Sequence, residues 1–372
     1  MGFLNWAISR KLAPLPEMPN PNAATVPHRS RTGLFSRRTA GAFALGLLSV
    51  SLMLARESRV RPPTFRQFME KRGYTVVNVD RAVEQHLMVN GRIDGKRARF
   101  LVDTGFTFNA VETNRATRLP RVSASEQTVL TPPGYPPGSF QFVRLDHFEL
   151  AGRKFPAEVA IVTRWWQQGI SLPRMPIFGM KGVLDCDAVL GVPFLLRHRT
   201  VIDYGQPPGL FVRDAARSAL ETKEIEESFR LSGFAPVVPI YLPPGQWLVS
   251  ARVNDRRVSL LVDTGGYRTV LDRGLAQELG VKIGSGVHWM QGGVDGRLST
   301  ATDVRIPRFE LGESVFTNLT ISVADLAPWN LSSTQQSLLL PRGILGSDLL
   351  TATRAVLDCE APRIWFLKSA VR

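Results

Sequence analysis

The sequence predicts an all-β protein with a few short helices, built as two similar lobes from an internal repeat and preceded by one apolar N-terminal segment. Three observations lead there. Residues 87–105 (LMVNGRIDGKRARFLVDTG) and 247–265 (WLVSARVNDRRVSLLVDTG) align without a gap at an offset of 160. Each copy is two alternating apolar runs joined by a polar turn, Asp94-Gly95 in one and Asn254-Asp255 in the other, which is the pattern of a β-hairpin. Gly and Pro are plentiful, at 31 and 26 residues, which favours turns and short strands over long helices.

The N-terminal part comes first in the chain. Residues 1–38 hold prolines, asparagines and basic residues with no sustained period, and read as a disordered tail. Thr39 to Ala55 is a 17-residue run without charge, flanked by Arg37-Arg38 and Arg56. It lacks a polar face, and its length is at the short end for a spanning helix. Residues 1–61 carry nine Lys and Arg against Glu17 and Glu57, which is half of the net charge of +14. This asymmetry predicts a single-pass transmembrane anchor with its N-terminus inside, and residues 62–372 outside the cytoplasm (periplasmic in a bacterium). Export on a twin-arginine signal opened by Ser36-Arg37-Arg38 is the alternative. No basic stripe is interleaved with stacking aromatics, so no nucleic-acid partner is expected. Residues 56–73 read as a stalk or a propeptide-like segment.

The first lobe is expected over 74–212 and the second over 236–372, with 213–235 as a charged interlobe linker or exposed helix. Further matched landmarks support the duplication. Phe148-Glu149-Leu150 and Phe309-Glu310-Leu311 each open a turn and another alternating strand. Val189-Leu190-Gly191 leads to Val201-Ile202-Asp203, and Ile344-Leu345-Gly346 leads to Val356-Leu357-Asp358. Gly191 lies 88 residues after Asp103, and Gly346 lies 83 after Asp263. The two cysteines, Cys186 and Cys359, and the scattered histidines (His28, His86, His147, His198, His288) show no zinc-type spacing, so no metal and no cofactor are expected. Each histidine reads as a surface or packing residue. Spacing does not fix whether the cysteines pair.

The second strand of each hairpin ends in Leu-Val-Asp-Thr-Gly. A single Asp-Thr-Gly is a plain turn at a strand end; a given tripeptide occurs by chance in roughly one chain in twenty of this length. Two copies in matching hairpins point instead to a pair of carboxylates, Asp103 and Asp263. Two such groups held about 3 Å apart share one proton. One can then take a proton from water while the other donates a hydrogen bond to an amide carbonyl. Thr104 and Thr264 supply hydroxyls to hold the loops, and Gly105 and Gly265 allow the loops to approach.

On these motifs, residues 74–367 resemble the aspartic proteases, the group that includes pepsins and retropepsins, and look like a fused pair of retropepsin-like units. The resemblance implies a bilobal aspartic endopeptidase fold and a polypeptide substrate, with Asp103 and Asp263 catalytic. It implies that Thr104, Gly105, Thr264 and Gly265 support the active-site loops, and that Gly191 and Gly346 brace them. It also implies a hairpin flap over the substrate. Candidates are Pro132 to Ser139, with Tyr135 at its tip, and Gln291 to Gly296, which holds Gly292 and Gly293; a Pro-rich surface loop is the plainer reading of the first. In Phe106-Thr107 and Gly266-Tyr267 two residues depart from the family, which places a small residue after Asp-Thr-Gly, often followed by Ser, Thr or Asp: Phe106 is bulky for the first place and Tyr267 is unusual for the second. That departure motivates an alternative, a non-catalytic peptide-binding or scaffold protein on the same fold. The two units are expected to pair within one chain, as a monomeric pseudo-dimer.

Overall fold

The computed structural model describes residues 6–7, 64–81, 86–130, 138–163, 186–242, 245–292, 297–326 and 341–368. The apolar run 39–55 therefore lies outside the described residues, as do Tyr135 and Gly293. Among the described residues no helix is long and apolar enough to cross a membrane.

Strands dominate, as the alternating runs require. Leu87–Ile93 pairs antiparallel with Lys96–Val102, with Met88 opposite Leu101. Gln246–Val253 pairs with Arg256–Val262, with Leu248 opposite Leu261, so the registers match at the offset of 160. Both turns have two positive φ angles, 48° and 73° at Asp94-Gly95 and 46° and 66° at Asn254-Asp255. That is the turn handedness whose twist matches the flanking strands. The three residues before each aspartate are fully buried, which anchors the end of the hairpin in the core.

The chain beyond each aspartate returns as a short strand, Asn109–Glu112 or Val270–Asp272. A third strand threads between the two arms. Ala188–Leu190 runs parallel to Lys96–Val102 and antiparallel to Asn109–Glu112. Gly343–Leu345 does the same in the second lobe. The loop carrying each aspartate must therefore cross over the end of the threaded strand.

The lobes are joined by a sheet to which both contribute. Its order is Phe234–Val237, Arg363–Leu367, Val356–Asp358, Val201–Asp203, Gly209–Val212 and Thr75–Arg81. The central pair places Ile202 opposite Leu357. Thr75–Arg81 also pairs with Leu87–Ile93, so this sheet runs on into the first hairpin. One apolar core accordingly contains residues of both lobes, including Ile202, Leu357, Phe100 and Leu260.

Between the lobes, Ala219–Leu231 forms a helix with a capping box from Ser218 and Glu221. It buries Ile225 and Phe229, and the Phe229 ring stacks on Trp365 at 5.0 Å. Trp6–Ala7, in a stretch expected to lack structure, pairs antiparallel with Gln291 and Met290. A hairpin edge leaves backbone N–H and C=O groups open to such an addition. Cys186 and Cys359 are both buried and are not joined in a disulfide.

Candidate active site

The threaded strand staples each loop at both ends. In the first lobe the Asp103 N–H donates to the Leu190 carbonyl at 3.0 Å, and the Val192 N–H donates to that of Phe106 at 2.9 Å. In the second lobe Asp263 N–H reaches Leu345 at 3.0 Å, and Ser347 N–H reaches Gly266 at 2.7 Å. Gly191 and Gly346 let the strand pass: a Cβ on Gly191 would lie 2.7 Å from the Phe106 carbonyl oxygen, and one on Gly346 would lie 2.9 Å from the Thr269 nitrogen. Both glycine N–H groups are bonded at 3.1 Å, to Asn109 Oδ1 and to Thr269 Oγ1, which occupy one position of the repeat. Asp348, half-buried, then accepts from the Thr269 N–H at 2.8 Å and from its hydroxyl at 2.7 Å. Burial pushes that carboxyl above its ordinary range, and the Thr269 bonds oppose the shift.

The two loops meet through their threonines. Thr104 Oγ1 donates to the Val262 carbonyl at 2.9 Å, and Thr264 Oγ1 donates to the Val102 carbonyl at 2.8 Å. Each hydroxyl also accepts the other threonine's N–H, at 3.0 and 3.1 Å. These four bonds are reciprocal and buried, and each spans about 160 residues of sequence. They hold the loops face to face.

The carboxyls sit where the facing loop has no side chain. A Cβ on Gly105 would lie 2.6 Å from Asp263 Oδ1, and one on Gly265 would lie 2.8 Å from Asp103 Oδ1. Neither glycine has a positive φ, so close approach rather than backbone conformation demands it. The Gly105 N–H donates to Asp103 Oδ1 at 2.8 Å, and the Gly266 N–H donates to Asp263 Oδ1 at 2.9 Å.

Both aspartates are completely buried and within hydrogen-bonding reach of each other. Burial pushes the Asp103 carboxyl up to about 7, opposed by its bond to Asp263 and by the N–H groups of Gly105, Phe106 and Gly265. Burial, then the charge of Asp103 and the bond to it, holds Asp263 well above the ordinary carboxylate range. The pair titrates as a unit. Its mutual geometry and burial favour a state with one proton between two carboxyls, which is the state that general acid–base work on water requires.

The residues after the glycines do not crowd this centre. The Phe106 ring packs with Met88, Leu101, Phe142 and Val189 in a cluster of the first lobe, while its N–H donates to Asp103. Tyr267 is half-buried, and its hydroxyl accepts from Arg268 Nε at 2.9 Å.

Two contributors escaped the sequence reading. His86, read there as a surface or packing residue, is buried and places Nε2 2.9 Å from the Gly265 carbonyl oxygen. Tyr204, also buried, lies 3.0 Å from Ser347 Oγ, which donates to the Thr264 carbonyl at 3.0 Å. Ser347 has one hydroxyl hydrogen, so the Tyr204 hydroxyl is the donor of the pair. The only available signal was positional: His86 opens the first hairpin, and Tyr204 follows the Val-Ile-Asp landmark.

Of the expected flap residues, Gly292 ends the strand Val287–Gly292 and pairs with Arg297, so the flanks of that segment do form a hairpin. Depressions of 510 and 650 Å³ on the first lobe are lined by residues that include neither aspartate. Among the described residues no group of three or more His, Cys, Asp or Glu side chains is arranged to hold a metal ion.

A family model described as "Aspartyl protease" matches residues 89–194 and 249–349, one segment per lobe. No curated protein sequence matches the chain. Among solved structures, the chain is similar to basic 7S globulin from soybean at 12% identity and a TM-score of 0.44, covering 80% of this chain and 95% of that one. It is similar to conglutin gamma, a basic 7S globulin from lupine seeds, at 12% identity, a TM-score of 0.40 and the same coverages. A retropepsin-like aspartic protease from Rickettsia conorii aligns at 18% identity and a TM-score of 0.25, over 37% of this chain and 92% of its own.

Proposed function

The chain belongs to the aspartyl protease family, and from that premise we propose that it is an endopeptidase in which Asp103 and Asp263 activate a water molecule against a peptide bond. The observation that carries this reading is the pair of completely buried carboxyls within hydrogen-bonding reach, one from each lobe. The ionised carboxyl takes a proton from water as its oxygen bonds to the scissile carbonyl carbon. The protonated carboxyl donates to the carbonyl oxygen, which bears the developing negative charge. The tetrahedral intermediate then collapses: the C–N bond breaks, and the amide nitrogen leaves with a proton supplied by the pair. Backbone N–H groups of Gly105 and Gly266 hold one oxygen of each carboxyl, which keeps the pair oriented without side-chain rearrangement.

One polypeptide supplies both halves of this site, which supports a monomeric enzyme rather than a pair of chains. The uncharged run 39–55, with its basic flank, supports an anchor that puts the lobes outside the cytoplasm. The test is single replacement, Asp103→Asn and Asp263→Asn, assayed on an unstructured protein between pH 5 and pH 8. Each variant is expected to lose ~10²–10⁴-fold or more in cleavage rate while keeping its circular dichroism spectrum. Cleavage retained by either variant, or none by the parent protein, overturns the assignment; the second result leaves peptide binding without hydrolysis.

A further inference from the structure

Gly265 is the loop residue that the two carboxyls share. Its N–H acts on both Asp103 and Asp263, and its α-carbon leaves the space that the Asp103 carboxyl fills. The next N–H, on Gly266, donates to Asp263 Oδ1 at 2.9 Å. What fixes this stretch from behind is a side chain of the opposite lobe. His86 Nε2 lies 2.9 Å from the Gly265 carbonyl oxygen, 179 residues away in sequence, and the imidazole is 1% exposed. A carbonyl oxygen can only accept, so Nε2 carries the hydrogen.

The carbonyl of Gly265 and the N–H of Gly266 belong to one planar peptide unit. A bond that fixes the direction of the carbonyl fixes the direction of the N–H as well. Donation to the carbonyl also polarises the unit and strengthens the N–H as a donor. At the offset of 160, His86 corresponds to Gln246, whose amide can likewise donate. The repeat thus carries an N–H donor side chain at the head of each hairpin, and in the first copy it is aimed across the lobes.

We propose that His86 is a positioning residue for the aspartate pair: its Nε2–H bond to the Gly265 carbonyl sets the Gly265–Gly266 peptide against the two carboxyls. The kinetic consequence rests on the hydrolytic reading above; the structural consequence does not. The test compares His86→Phe, which keeps the ring but has no donor, with His86→Gln, which restores a donor of the kind found at position 246. His86→Leu, also without a donor, replaces the Phe variant if that one does not fold.

With full-length protein in detergent, the donor-less variant is expected to lower kcat about 10–100-fold, with KM unchanged and Tm lowered because the buried Gly265 carbonyl loses its donor, and His86→Gln is expected to recover most of both. Amide hydrogen exchange across residues 262–267 should quicken in the donor-less variant and stay at the parent rate in His86→Gln. Parent-like kcat and parent-like exchange in the donor-less variant overturn the proposal, as does a loss that His86→Gln fails to restore. If the parent protein cleaves nothing, the hydrolytic reading falls and exchange alone decides. Faster exchange without the donor upholds the positioning role, and unchanged exchange removes it.

Discussion

Asp103 and Asp263 differ from ordinary surface carboxylates because folding takes them entirely out of water. Removing an ionised carboxylate from water is costly, so the folded protein holds its proton more tightly than the unfolded chain, where an aspartate titrates near 3.9. Between that value and about 7, to which burial pushes the Asp103 carboxyl of the pair, the native protein binds more protons than the unfolded one. Stability contributed by the protonated pair is therefore complete at acid pH and is lost as pH rises through about 7. Denaturant unfolding should show Asp103→Asn gaining on the parent protein as pH moves from 4 to 8. Cleavage follows the opposite trend on this limb. The singly protonated pair accumulates as the first proton leaves, so kcat should rise from pH 5 to pH 7.

The element that makes these residues a pair is the crossed loop. Each Asp-Thr-Gly loop is pinned to its own lobe by a threaded strand and to the facing loop by its threonine. The pinning is concentrated, because one hydroxyl serves as donor and acceptor at once. Replacing Thr264 with Val removes the bond to the Val102 carbonyl and the acceptor of the Thr104 N–H, and leaves both groups buried. Each such orphan costs about 1–3 kcal/mol, so the variant should unfold roughly 2–6 kcal/mol more easily in urea. A loss near zero would mean that the loops are held by the strands alone. Thr104→Val should behave alike, since the bonds are reciprocal.

At the scale of the whole molecule, the joint sheet sets the distance between the lobes. Its central strands carry Asp203 and Asp358 at matching positions of the repeat. Burial pushes Asp203 up to about 6, with Arg81 as its opposing charge. Asp358 is also raised by burial, and Arg217 opposes the shift at 2.6 Å. The Arg217 side chain is 1% exposed, and its Nε also meets Glu360 at 2.9 Å. Removing one partner of such a buried pair typically costs 3–5 kcal/mol, because a charge stays buried alone. Arg217→Ala should therefore destabilise the protein by about that amount at pH 7. The loss should shrink at pH 4, where Asp358 takes up a proton, and paired urea titrations would show whether it does.

The duplication, the two hairpins and their registers were written in the sequence because they depend on local periodicity. Apolar residues alternate along each strand, Asp94-Gly95 and Asn254-Asp255 select the turns, and an offset of 160 reveals the copy. The identity of the aspartates came with them, since each closes a strand whose burial is periodic. Sequence reading could not place His86 behind Gly265, Tyr204 behind Ser347, or Ile202 against Leu357. These contacts join residues 143 to 179 positions apart, and no pattern within a strand or turn encodes which distant carbonyl a histidine will meet. The need for Gly105 and Gly265 was likewise legible only in part. Their φ angles are ordinary, and it is the facing carboxyl, brought there by the folding of the other lobe, that excludes a Cβ. Local chemistry chose the parts, and packing across the joint sheet decided which parts touch.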